Sequence, residues 1–270
     1  MIEFRGVTKQ FPDGTVAVRG IDLQVPPRRT TVLVGSSGSG KTTLLRMVNR
    51  MVDPTAGVVT IDGTDVSTVD PVKLRRSIGY VMQNSGLLPH RKVVDNIATV
   101  PVLRGERRAA ARERALELME TVGLDRSLAE KYPAQLSGGQ QQRVGVARGL
   151  AVDPNILLMD EPFGAVDPLL RTELQDELIR LQRELGKTVL FVTHDIEEAF
   201  RLGDRVVILR EGGRIVQQGT PAEILANPAD EFVAGFIGAD RGTRALRVHE
   251  VGGREVLVDE SGRAAGVLVR

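Results

Sequence analysis

The sequence predicts an α/β fold around a mostly parallel sheet, and three observations carry that expectation. Short uninterrupted apolar runs recur, at Val32-Leu33-Val34, Ile156-Leu157-Leu158-Met159 and Thr188–Val192. Runs of this kind suit strands buried on both faces. Stretches of helical spacing and composition, such as Arg107–Thr121 and Arg171–Leu185, alternate with them, the order expected of parallel strands joined by helical crossovers. The first run leads into Gly35-Ser36-Ser37-Gly38-Ser39-Gly40-Lys41-Thr42-Thr43, and Leu44, Leu45 and Val48 follow at helical spacing.

The elements follow in order. Ile2–Phe4, Val16–Val18 and Ile21–Val25 are short β-rich pieces, with Pro12-Asp13-Gly14 as a turn between the first two. Val58–Ile61 is a strand closed by the turn Asp62-Gly63. Ile78–Met82 is a strand ending at Gln83, and from Val93 to Tyr132 the pattern is helical. Arg107–Thr121 is rich in Ala, Glu, Arg and Leu, strong helix formers, with its charges on a solvated face. A helix runs from the segment Leu136–Gln140 through Val144, Ala147 and Leu150. Val206–Leu209 and Arg214–Val216 flank Glu211-Gly212-Gly213 as a hairpin, and Pro221–Leu225 and Glu231–Ile237 are short helices. Gly238–Gly242 reads as a boundary. Beyond it, two β-like runs, Glu255–Val258 and Gly266–Val269, flank a turn at Asp259-Glu260-Ser261-Gly262, a stretch too short to fold alone.

Composition bounds the function. The chain has 270 residues, 41% hydrophobic and 26% charged, ordinary values for globular proteins. Its net charge of +1 gives no overall basic field for nucleic acid. Aromatic residues at 3%, without tryptophan, leave little material for stacking bases. Cysteine is absent, so disulfides and thiolate metal sites are excluded. No apolar run approaches the ~18 residues of a membrane-spanning helix, and Met1–Arg5 has no signal-peptide pattern.

The loop Gly35–Thr43 fits G-x-x-x-x-G-K-[ST]. Glycines let successive N–H groups turn inward on phosphate oxygens, and the helix that follows offers its positive end. Lys41 is a point charge for the β- and γ-phosphates, and the Thr42 hydroxyl a ligand for Mg²⁺. A flexible Ser/Gly linker would need neither Lys-Thr nor the flanking strand and helix. Asp160-Glu161 closes the run Ile156–Met159. At a strand tip beside a phosphate loop, Asp160 can hold Mg²⁺ and Glu161 can polarise an attacking water. Alone, two acids at a strand end would be solvated charges; beside the loop they gain a role. Leu136-Ser137-Gly138-Gly139-Gln140 opens a helix with a serine cap and two glycine N–H groups.

That last segment, behind the phosphate loop and before the acidic pair, resembles the signature of ATP-binding cassette proteins, over about Ile2 to Ile237. The resemblance implies a P-loop NTPase core, an N-terminal antiparallel β subdomain and an inserted helical subdomain at about 90–145. It divides the chain into an ATP-binding domain at 1–238 and a short β-like C-terminal tail at 239–270. By position it implies that Phe11 stacks on adenine, where tyrosine is commoner. It implies that Gln83 is a Mg²⁺ and water ligand that senses a membrane partner. Ser137, Gly138, Gly139 and Gln140 would bind the γ-phosphate of ATP held by a second copy. Gly164-Ala165-Val166-Asp167 stands where the family usually has Ser-Ala-Leu-Asp, with Asp167 facing across the dimer, and His194 is the switch histidine at the γ-phosphate. His90 and His249 are left as surface residues.

ATP and Mg²⁺, a head-to-tail homodimer, separate permease chains, a substrate-binding protein and the cytoplasmic membrane face are further implications. Asn84–His90, Asn96–Pro101 and Asp167–Arg171 resemble the importer branch for quaternary amines: glycine betaine, choline or carnitine. Amino-acid and polyamine importers share much of this pattern. The tail resembles a fragment of a regulatory module of that branch. A soluble P-loop kinase would lack Leu136–Gln140, and soluble cassette ATPases resemble tandem pairs or carry a long coiled coil that is not found here.

Overall fold

In the computed structural model, residues 1–164, 166–238, 247–251, 254–258 and 264–267 are described. The chain opens with β1 (Ile2–Gln10) and β2 (Val16–Val25), then β3 (Thr30–Gly35) and α1 (Lys41–Val48). After β4 (Ala56–Ile61), β5 (Thr64–Asp65) and α2 (Pro71–Ser77) comes the three-residue strand β6 (Gly79–Val81). Helices α3 (Val93–Ile97), α4 (Thr99–Leu103), α5 (Arg108–Thr121) and α6 (Gly138–Leu150) lead to β7 (Ile156–Asp160). The core then completes with α7 (Pro168–Leu185), β8 (Thr188–Thr193), α8 (Ile196–Leu202), β9 (Arg205–Arg210), β10 (Arg214–Gly219), α9 (Pro221–Ala226) and α10 (Glu231–Ile237). Strands β11 (Arg247–Val251), β12 (Arg254–Val258) and β13 (Ala264–Val267) follow.

The central sheet has the order β10-β9-β3-β8-β7-β6. Its pairings are parallel except at the β10 edge, where the hairpin turns back on β9. Pleating sends alternate residues of β3 to opposite faces. Leu33 joins Leu158, Leu190 and Val207 in a cluster shared with α1 and the N-terminal strands. Val32 and Val34 join Met159, Phe191 and Ile208 in the cluster under the helical layer. The N-terminal strands form their own antiparallel sheet, β2-β1-β4-β5.

Two expectations change. Ile2–Phe4 is only the start of a nine-residue strand, and Val16–Val18 and Ile21–Val25 are parts of one ten-residue strand. The pairing of β1 with β2 carries register shifts, and Gly6 (φ +56°) and Gly20 (φ +55°) take the left-handed conformation there. Bulges of this kind break the apolar alternation without ending a strand. The region after Gly242 holds three antiparallel strands rather than two runs, because the polar Arg247–Val251 pairs with β12 along its length. Residues 239–242 of the expected boundary and the turn at 259–262 lie outside the described residues.

The helical insertion leaves the sheet after β6 and returns through α6, which packs against β6 at a glycine contact. A Cβ on Gly79 would run into the Gly149 carbonyl and approach the Leu157 side chain. Gly79→Ala is therefore expected to lower stability by about 1–3 kcal/mol, read as a lower thermal midpoint.

Candidate nucleotide site

The loop between β3 and α1 is built tightly. Gly40, at φ +86°, caps α1, and a Cβ there would strike the Ala17 carbonyl of β2. A Cβ on Gly35 would strike the Leu209 carbonyl. Inside the loop the Lys41 ammonium donates to Gly35 O at 2.8 Å, Ser36 O at 2.8 Å and Ser39 Oγ at 3.3 Å. Burial pushes its pKa below the usual lysine value, opposed by the charges of Glu161 and Asp160.

Asp160 is the last residue of β7 and is buried. Its Oδ1 accepts from the Thr42 hydroxyl at 2.8 Å. Its Oδ2 accepts from the Tyr80 hydroxyl at 3.2 Å and from Arg46 Nη2 at 3.4 Å. The neighbouring Tyr80 hydroxyl raises the arginine pKa, and burial raises that of the Tyr80 hydroxyl itself.

Glu161 takes φ +45°, a conformation rare for residues with a Cβ, and its N–H is tied to the Val192 carbonyl at 2.9 Å. The turn parts the neighbouring carboxylates. Asp160 faces Thr42, whereas Glu161 Oε2 lies 3.0 Å from Nδ1 of the exposed His194 and 3.5 Å from Gln83 Nε2. His194 follows β8 directly. Hard oxygen donors from Thr42 and Asp160 are the chemistry that Mg²⁺ takes, so this pair fits that ion, while the Gln83 amide lies on the Glu161 side.

A cleft of about 400 Å³ is lined by Ser37, Gly38, Gly40, Lys41, Thr42, Thr43, Glu161 and His194 together with Thr15, Val16 and Ala17; Asp160 and Gln83 stand behind Thr42 and Glu161, outside the lining. Gly35, Ser36 and Ser39 form the loop wall through Lys41. Phe11 is outside this lining. It pairs by backbone with Thr15, which is inside it, and Lys9 Nζ sits 5.4 Å from its ring centre. Ser137, Gly138, Gly139 and Gln140 are likewise outside. Ser137 caps α6, accepting from Gln140 N at 3.3 Å while Gln140 Oε1 accepts from Ser137 N at 3.0 Å. Asp167 is exposed at the start of α7, and Ala165 lies outside the described residues.

Sequence reasoning missed Tyr80, Arg46 and the segment Thr15–Ala17 that leads into β2. Arg46 had a signal, since it stands four residues after Thr42 on one helix face. Tyr80 had none, because only the pairing of β6 with β7 brings it to Asp160.

A phosphate loop at the end of a central parallel strand, with an acidic tip two strands away, defines a P-loop nucleoside triphosphatase fold. Within that class the chain belongs to the ABC transporter family, whose profile matches residues 18–164. It is 50% identical over 241 residues to the carnitine transport ATP-binding protein of Listeria monocytogenes, covering 89% of this chain and 60% of that protein. It is 48% identical over 252 residues to the glycine betaine uptake system ATP-binding protein of Escherichia coli (strain K12), covering 93% and 81%. A solved dimeric structure of a bacterial ABC transporter cassette is similar with a TM-score of 0.75 and 35% identity, covering 82% of this chain and 99% of that one. The chain spans 60% to 63% of the length of the first carnitine and choline relatives it matches.

Lys41→Met keeps the aliphatic stem but leaves three loop oxygens without their shared donor. The nucleotide-free protein is expected to lose about 1.5–3 kcal/mol of stability, measured by chemical denaturation.

Proposed function

We propose that the chain is the ATP-binding and ATP-hydrolysing subunit of a membrane importer for quaternary amines of the glycine betaine, choline and carnitine class. One observation carries the hydrolytic part: Thr42, which is hydrogen-bonded to Asp160, lines one cleft next to the phosphate loop together with the pair Glu161–His194. The relatives' printed roles in carnitine and glycine betaine uptake support the substrate class.

Gly35 to Thr43 wrap the phosphates of ATP through backbone N–H groups, and Lys41 neutralises the β- and γ-oxygens. Thr42 and Asp160, with Gln83, would hold Mg²⁺, which would offset negative charge on the phosphates. Glu161 accepts a proton from the attacking water, and His194, hydrogen-bonded to it, fixes its direction. Phe11 contributes a ring face to the adenine beside Thr15–Ala17. Ser137 to Gln140 lie off the cleft of their own chain, which suits a role at the γ-phosphate held by a second copy, with Asp167 at the same interface. The dimeric cassette among the similar structures supports that assembly. Separate permease chains would dock beside Gln83 and the helical insertion at the cytoplasmic face, fed by a substrate-binding protein. Among the described residues no helix is long and apolar enough to cross a membrane. Residues 1–238 serve as the catalytic domain and the tail as a regulatory element.

Glu161→Gln keeps size and hydrogen bonding but removes the base. ATP binding is expected to persist while turnover falls about 100-fold or more, and an ATP-dependent dimer is expected to accumulate on gel filtration. Hydrolysis at the parental rate would refute the assignment. Ser137→Arg places bulk at the partner's γ-phosphate, so the pure variant is expected to bind ATP yet lack ATPase activity. Normal activity in that protein would rule out the shared site.

A further inference from the structure

We propose that Tyr80 and Arg46 are positioning residues that decide which oxygen of Asp160 meets the metal, and so set how strongly Mg²⁺ supports nucleotide binding. The inference rests on the reading of Thr42 and Asp160 as the metal pair. A carboxylate at a strand tip can rotate and offer either oxygen, or both, to a cation. Here that freedom is removed. Oδ2 of Asp160 receives the Tyr80 hydroxyl at 3.2 Å and the Arg46 guanidinium at 3.4 Å. Only Oδ1 is left turned to Thr42, at 2.8 Å. The two donors come from different elements, Tyr80 from the edge strand β6 and Arg46 from α1. Their geometry is therefore fixed from two sides. Partners that orient a ligating carboxylate govern metal affinity although they never touch the metal.

The arrangement also ties the metal site to the helical insertion. β6 ends one residue before Met82 and two before Gln83, where the insertion departs. A shift of β6 along β7 would withdraw the Tyr80 hydroxyl from Oδ2 and free the carboxylate to turn.

The test uses the purified full chain and a fluorescent ATP analogue, titrated in EDTA and then in rising Mg²⁺. Tyr80→Phe removes one hydroxyl and keeps the ring. Its affinity without metal is expected to equal the parent's, whereas the Mg²⁺ concentration for half-maximal enhancement is expected to rise about 10-fold. Arg46→Ala is expected to shift the same titration, and Arg46→Lys to restore part of it. Should Arg46→Ala fail to fold, the single-atom change in Tyr80→Phe still decides. An unchanged Mg²⁺ titration in Tyr80→Phe would overturn the proposal. An equal loss of affinity with and without Mg²⁺ would overturn it too, since that marks general damage to the loop. A parent protein that binds the analogue with no response to Mg²⁺ would instead defeat the metal-pair reading beneath the proposal, and the proposal with it.

Discussion

The ammonium of Lys41 is the centre on which the site depends. A buried cation is costly unless polar groups surround it, and here three oxygens of its own loop do so. The same bonds curl Gly35 to Ser39 into a cradle, so charge and loop shape come from one interaction. Neighbouring backbone completes the constraint. The Ala17 carbonyl occupies the space a side chain on Gly40 would need, and the Leu209 carbonyl that of one on Gly35. One comes from the N-terminal sheet and the other from the central sheet, so backbone of both layers approaches the cradle where only glycine fits.

A second constraint separates tasks that the sequence places side by side. Asp160 and Glu161 are adjacent, yet one reaches Thr42 and the other His194. The left-handed conformation at Glu161 makes this possible, held by its bond to Val192 on β8. Strained conformations of this kind concentrate where geometry serves function.

Much of this was legible because the chemistry lies in contiguous backbone. A phosphate loop or a helix cap is written within a few residues, and strands buried on both faces announce themselves as apolar runs. What escaped depends on distant pairing. Tyr80 matters only because β6 lies beside β7. β1 and β2 looked like fragments because bulges at Gly6 and Gly20 break their alternation. Helix α8 was overlooked although Asp195 accepts from the N–H groups of Glu197 and Glu198, a cap visible in the sequence. In β11, charged residues hide a strand that owes its form to pairing with β12 rather than to an apolar face.

The strand order has a consequence for the chain as it is made. β3, which carries the phosphate loop, is flanked by β8 and β9, so Thr30 pairs with Val189 and Thr31 with Arg205. On a ribosome, the loop emerges early, but neither neighbour of its strand exists until residues near 188–209 have been translated. The N-terminal antiparallel sheet, by contrast, finds all its partners before residue 66. The strands of the N-terminal sheet can therefore pair early, although the apolar face they bury is completed only by later strands such as β7, β8 and β9. Through most of translation the nascent polypeptide carries a phosphate loop whose strand lacks both of its neighbours.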